Sequence, residues 1–266
     1  MVSTGLTTRN VALLAIFAAL YYVLSLLTFN ISAPGVPQVQ ISLLALVASV
    51  FGLVLGPYLG TAAAFLGAFV GWVLPPSGMA PYGLPFILSP PINAFVVGSI
   101  YYKKWKLGFI AFAVLIAAFF FTPPAQPITE NLLVIAAVVI DKIAALLLII
   151  PLVMFTKRLA ITEKGLYAFY FILGFIGNQA DNMWGTLAFS IPTVYQGIYG
   201  MPIEAVRAAF LVSPFFYPIL RLIQAAAVMF IAVALMRTLK GTPWLWQKEN
   251  VLSFAKKEQK TTGKST

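Results

Sequence analysis

Residues 41–74 read ISLLALVASVFGLVLGPYLGTAAAFLGAFVGWVL, a run without one charged side chain. About 20 apolar residues cross a bilayer as a helix, so the run is too long for one plain span. Gly56-Pro57 divides it, because Pro lacks the amide hydrogen that a helix interior needs. Two segments result, 40–56 and 58–74. Gly52, Gly56 and Gly60 recur every four residues around the break, and Gly67 and Gly71 repeat that spacing in the second segment. Small residues so placed let helix backbones approach closely in lipid. The stretch therefore predicts a tight helical hairpin inside a membrane.

The rest of the chain agrees. Of 266 residues, 61% are hydrophobic and 9% charged, against about 25% charged in soluble domains. Six further apolar segments flank the hairpin, at 10–29, 83–101, 107–121, 132–155, 166–190 and 213–237. The fold expected is an all-α polytopic membrane bundle of about eight transmembrane helices over residues 1–240. A basic cytoplasmic tail, 241–266, follows, with Trp244 and Trp246 beside Lys248 as an interfacial anchor. The first segment is read as a retained span, since its apolar run is long and no small-x-small cleavage pattern follows.

Lys and Arg set the orientation. With the N-terminus cytoplasmic, the inner segments hold Arg9, Lys103, Lys104, Lys106, Lys157, Arg158, Lys164 and Arg237. The tail adds Lys240, Lys248, Lys256, Lys257, Lys260 and Lys264. The outer loops keep only Arg207, and Lys142 and Arg221 lie within spans. This is the positive-inside pattern of a multi-pass plasma-membrane protein, so the net charge of +10 marks topology rather than nucleic-acid binding. The outer connections 30–39, 75–82, 122–131 and 191–212 are rich in Pro, Gly and aromatics. They read either as plain connectors or as an ordered cap, with Gln38 and Gln40 in the first of them.

Several chemistries are excluded. The chain has no Cys and no His, which removes thiol catalysis, Ser-His catalysis and the usual zinc and haem ligation. No Walker-type phosphate loop occurs. No enzyme, cofactor or metal site is expected.

On the first span, TRNVALLAIFAALYYVLSLL (8–27), Ala15 and Ala19 form A-x-x-x-A beside Ala12 and Ala18. An alanine face packs either internally or against another membrane subunit. This run, the Pro-rich loop after it and residues 41–74 together resemble the substrate-binding S component of energy-coupling factor (ECF) transporters. The likeness is clearest over 8–101. The resemblance implies that Ala15 and Ala19 dock onto an ECF-type transmembrane coupling subunit, itself driven by two ABC ATPases. The family usually has six spans, which makes 107–121 and 132–155 additions.

Polar residues inside the spans argue independently. Span seven contains FIGNQADNMWG (175–185), which puts Asn178, Asp181, Asn182 and Gly185 on one helix face. Tyr217, Arg221 and Gln224 share a face of span eight. Asp181 and Arg221 lie at similar depth, each several residues inside the outer end of its span. Two readings stand: an ion pair that fixes helix register, or the lining of an outward-opening pocket. The uncharged surplus, Asn178, Gln179, Asn182 and Gln224, favours the pocket. Asp141 on span six and Asn93 on span four are further candidates, though a structural hydrogen bond accounts for Asn93 equally well. Lys142, pointing about 100° from Asp141, is expected to find a different partner. Trp184 and Tyr217 are candidates to pack on a ligand ring. The 191–212 connection, with the amphipathic stretch IEAVRAAFLV and Glu204 and Arg207 at i, i+3, is either a lid or an interfacial helix.

The expected function is capture of a small vitamin-like micronutrient from the outer side by a subunit with no energy source of its own. Two rivals remain: an ion-coupled secondary carrier working through Asp141 or Asp181, and a structural subunit of a larger membrane complex. The lack of a visible repeat and of titratable groups in the inner half counts against the carrier.

Overall fold

A computed structural model describes residues 7–27, 30–33, 36–42, 44–239, 242 and 245. In order, the chain forms helix α1 (Thr8–Leu27), strands β1 (Asn30–Ala33) and β2 (Val36–Ser42), then α2 (Ala45–Val73) and α3 (Ser89–Tyr101). There follow α4 (Trp105–Phe119), α5 (Leu132–Leu159), α6 (Glu163–Phe189), the single turn α7 (Pro192–Tyr195) and α8 (Ile203–Thr238). The architecture is an all-α bundle carrying one small β-ribbon. The stretches Thr8–Leu27, Ala45–Val73, Leu84–Tyr101, Leu132–Leu159 and Ile203–Thr238 are long and apolar enough to cross a membrane; α4 is apolar but shorter.

The predicted hairpin is present. α2 (Ala45–Val73) holds both limbs, separated at Gly56, which has φ 80° and ψ 179°, and the first limb starts at Ala45 because 40–42 belong to β2. That positive φ suits glycine because it has no Cβ to clash. The chain folds back there. A Cβ on Gly60 would lie 2.6 Å from the Phe51 carbonyl oxygen, and one on Gly98 of α3 would lie 2.7 Å from the Pro57 nitrogen. A Cβ on Gly52 would strike the Ala94 carbonyl. Both limbs of α2 and helix α3 thus meet backbone to backbone, and any side chain at these glycines would push them apart.

Contacts between distant segments sort the helix ends into two layers. In one, the Tyr102 hydroxyl donates to the Leu53 carbonyl at 2.7 Å, Lys104 donates to the Tyr58 hydroxyl at 3.3 Å, and Arg237 pairs with Glu163 at 2.5 Å. In the other, Tyr22 donates to the Pro75 carbonyl at 3.0 Å and Tyr199 to the Tyr82 carbonyl at 2.9 Å. Arg207 reaches the Gln126 carbonyl in that layer at 2.6 Å. These are the groupings that the Lys/Arg distribution assigns to the inner and outer faces.

Three expectations about the connections need correction. Asn30–Ala33 and Val36–Ser42 form an antiparallel ribbon pairing Ile31 with Ile41, so this connection is more than a plain connector. Pro37 fits because both strands of a lone ribbon are edges. The stretch 203–212 is no separate interfacial helix: it is the start of α8, which runs on through Pro214 and Pro218. Arg207 turns away from Glu204 and donates to the carbonyls of Pro123, Pro124 and Gln126, tying α8 to the loop before α5. The side chains of Gln38 and Gln40, and the anchor at Trp244, Trp246 and Lys248, lie outside the described residues.

Candidate functional site at the junction of α5, α6 and α8

Helix α6 starts at an N-cap made by Thr162, whose side chain accepts from the Gly165 amide at 3.0 Å. From there it enters the middle of the bundle, against α3, α5 and α8. Every residue from Ile176 to Met183 is buried. That segment holds Asn178, Gln179, Asp181 and Asn182, so four strongly polar side chains sit where an ordinary span buries hydrocarbon.

The charges come first. Arg221 of α8 lies 3.7 Å from an Asp181 oxygen and donates to the Gln224 side chain at 2.8 Å. The equal depth of Asp181 and Arg221 is therefore real. On α5, Lys142 is 2% exposed and lies 2.9 Å from Asp141, its own neighbour in sequence. This corrects the expectation of a different partner: the flexible four-carbon stem of Lys lets the ammonium curl back across the 100° between adjacent positions. Asp141 also accepts from Gln179 Nε2 at 3.1 Å, which joins α5 to α6. Arg221 is within electrostatic reach of Lys142. Two acids and two bases thus form one charge-balanced group across three helices. Buried charges this close persist only when paired, since each alone is costly to desolvate.

Asn93 is saturated. Its amide nitrogen donates to the Ala45 carbonyl at 2.8 Å and to Asn178 Oδ1 at 3.1 Å, while its oxygen accepts from Ser49 at 2.7 Å. It is a buried knot between α2, α3 and α6, and Gly177 leaves room for it: a Cβ there would overlap the Asn93 side chain. Trp184, half-buried, donates to the Pro85 carbonyl at 3.0 Å and so holds the loop between α2 and α3. Tyr217 is half-buried, in edge contact with Phe216 and within electrostatic reach of Arg221.

What remains unpaired is informative. Among the described residues, Ser99 Oγ and Asp141 Oδ1 are buried without a hydrogen-bond partner, and so are four atoms on α6 and α8: Asn178 Nδ2, Gln179 Oε1, Asn182 Nδ2 and Arg221 Nε. Leaving such a group unmade costs about 1–3 kcal/mol, which folded proteins rarely tolerate at several neighbouring positions. Three of the four are donors and one is an acceptor. From sequence, Gln179 counts only as part of the uncharged surplus favouring a pocket, and Lys142 as a charge awaiting another partner; the structure joins both to Asp141.

Aromatic contacts knit together the loops at the C-terminal end of α6. The Tyr82 and Tyr199 rings meet edge to face at 5.3 Å, and Phe189 meets Tyr199 at the same distance. Trp72 donates to the Ala80 carbonyl at 2.7 Å. Burial and the neighbouring Tyr82 raise the Tyr199 phenol to about 12. Tyr199 therefore stays protonated and its donated hydrogen bond to the 75–86 loop persists across neutral pH.

The α1 helix presents the opposite case. It buries only Leu13, Ala18 and Tyr21 and packs chiefly on α2, where Tyr21 closes over Gly67. Ala15 and Ala19 are exposed, among Val11, Ile16, Leu20 and Val23. Ala18, by contrast, packs inward.

The family model for the ECF-type riboflavin transporter S component matches residues 5–156, more than half of the chain. This chain belongs to that family. It is accordingly a multi-pass, substrate-binding membrane subunit of a transporter rather than a member of an enzyme family, and the family associates with a transmembrane coupling component and ATPases. The match runs through 107–121 and 132–155, so these segments lie inside the family region and are not additions to it. It ends before α6. No curated protein and no solved structure matches the chain.

Proposed function

We propose that the α5–α6–α8 junction of this S component captures a small, flat, vitamin-like micronutrient from the outer side of the plasma membrane. The observation that carries the reading is the set of four buried polar atoms without partners. Asn178, Asn182 and Arg221 offer N–H groups to carbonyl or ring-nitrogen acceptors. Gln224 shares Arg221, Asp181 holds it in place, and Trp184 and Tyr217 pack on a ring. Asn93 and Asp141 serve from behind, by holding Asn178 and Gln179. The name of the matched family directs the first probe to riboflavin, whose ring edge carries two carbonyls and an N–H. The structural-subunit reading accounts for the ion pairs, but it leaves the unpartnered atoms without a purpose.

The same reading places the N-terminus, 103–106 and 157–164 in the cytoplasm. It assigns the exposed Ala15/Ala19 face to a coupling subunit that works with two ABC ATPases. The test is mass spectrometry of small molecules retained by the purified full chain. A flavin released on denaturation is the expected result; retention of nothing but lipid, with no riboflavin binding on titration, would overturn it.

A further inference from the structure

The Gln179 side chain is fully buried, its nitrogen donates to Asp141, and its oxygen has no partner among the described residues. An amide can be turned either way, so its direction must be argued from its neighbour. Asp141 lies between Lys142 Nζ, 2.9 Å from one carboxylate oxygen and 3.1 Å from the other, and Gln179 Nε2. With Lys142 Nζ against both of its oxygens, the carboxylate offers Gln179 an acceptor. Gln179 must therefore show Asp141 its NH2 group, and its carbonyl oxygen is left facing the other way. Asn178 is fixed in the reverse sense: its oxygen accepts from Asn93, so its NH2 is the free end. Asn182 is not fixed in this way, because the Thr186 hydroxyl 3.3 Å from it can either donate or accept.

We infer that Gln179 is a specificity-determining contact, an acceptor reserved for an N–H or O–H of the ligand, and that the buried Asp141–Lys142 pair is the positioning device that holds it so. The inference rests on the ligand-capture reading above. Asp141 and Lys142 then act through Gln179 without touching the ligand. Lys142, at 2% exposure, is kept from water, while Asp141 is 15% exposed.

The test uses the purified full chain with two probes, riboflavin and 3-methylriboflavin, in which a methyl group replaces the ring N–H. The unmodified chain should prefer riboflavin by about 5- to 150-fold, the range for one hydrogen bond lost inside a site. Gln179→Met should abolish that preference. Asp141→Leu/Lys142→Met, which removes both charges together, should reduce it by about tenfold with Gln179 still present. A ligand-free measurement separates positioning from binding: the Gln179 side-chain amide, identified in 15N-glutamine spectra by its loss in Gln179→Met, should be protected from exchange. In the double variant that protection should disappear. Preference retained in Gln179→Met would overturn the contact. Unchanged amide protection or preference in the double variant would overturn the positioning device. Binding of neither flavin by the unmodified chain would overturn the capture reading and the Gln179 contact together, leaving the amide spectra to decide the positioning alone.

Discussion

Helices α1 and α6 belong to one bundle and use their surfaces in opposite ways. α1 is apolar and almost wholly exposed, touching the bundle along Leu13, Ala18 and Tyr21. α6 is buried without a break from Ile176 to Met183, and half of that segment is polar. In water such a pair would be inverted, since soluble folds hide hydrocarbon and expose amides. Lipid removes the hydrophobic incentive to hide α1, and it makes every amide on α6 seek a protein or ligand partner. On the proposed function, burial separates tasks: the buried polar helix lines the site, and the exposed apolar helix offers the docking surface.

The sharpest way to break the comparison is to unbalance α6. Asp181→Ala or Arg221→Met, made singly, leaves a buried charge alone and should lower stability by about 3–5 kcal/mol. The double variant Asp181→Asn/Arg221→Gln should recover most of that, read by thermal unfolding in detergent. Equal losses in single and double variants would show that the two side chains act separately.

Next in size is the helix crossing that supports both regions. Gly98→Val would put methyl groups against Pro57 and should cost about 1–3 kcal/mol or more by overpacking. Gly71→Ala, where a Cβ finds nothing nearer than the Ser25 hydroxyl oxygen at 3.5 Å, should be tolerated. Equal melting temperatures for the two would remove the close-approach account of the α2 hairpin.

For α1 the expected effect on the isolated chain is near zero. Ala15→Leu/Ala19→Leu should leave folding and riboflavin affinity unchanged while releasing the coupling subunit on co-purification. Loss of ligand affinity with assembly intact would mean that this face packs within the subunit. The smallest disturbance belongs to topology. Single cysteines at positions 104 and 160 of this Cys-free chain should leave function untouched and resist an impermeant thiol reagent applied from outside. Labelling at both would reverse the orientation.

Much of this was legible in the residues. Apolar runs locate the long helices, and Gly56-Pro57 locates the fold-back because it combines a positive φ with a missing donor. Counting from the outer ends brings Asp181 and Arg221 together. What was hidden depends on side-chain flexibility or long-range pairing. Periodicity keeps Asp141 and Lys142 apart, yet the lysine stem overrides the backbone angle. Pro214 and Pro218 signal a helix stop, but α8 continues through both. Trp184 reads as a stacking ring, and its indole N–H also fastens a loop, which no spacing rule foretells. Nor does spacing reveal which end of a buried amide is free; Asn93 beside Asn178 and Asp141 beside Gln179 do.

The central claim is that the unpartnered polar atoms of α6 and α8 await a ligand. Its most direct measurement is a calorimetric riboflavin titration of the unmodified chain beside Asn178→Ala and Asn182→Ala, with the melting temperature of each ligand-free protein. Affinity should fall by about 5- to 150-fold in each variant, from about 1–3 kcal/mol of unmade hydrogen bonding. The ligand-free melting temperatures should hardly move, because interhelical hydrogen bonds in a membrane are worth only about 0.6 kcal/mol. Unchanged affinity in both variants, or a melting temperature that falls with no change in affinity, would contradict the claim and return α6 to a purely architectural role.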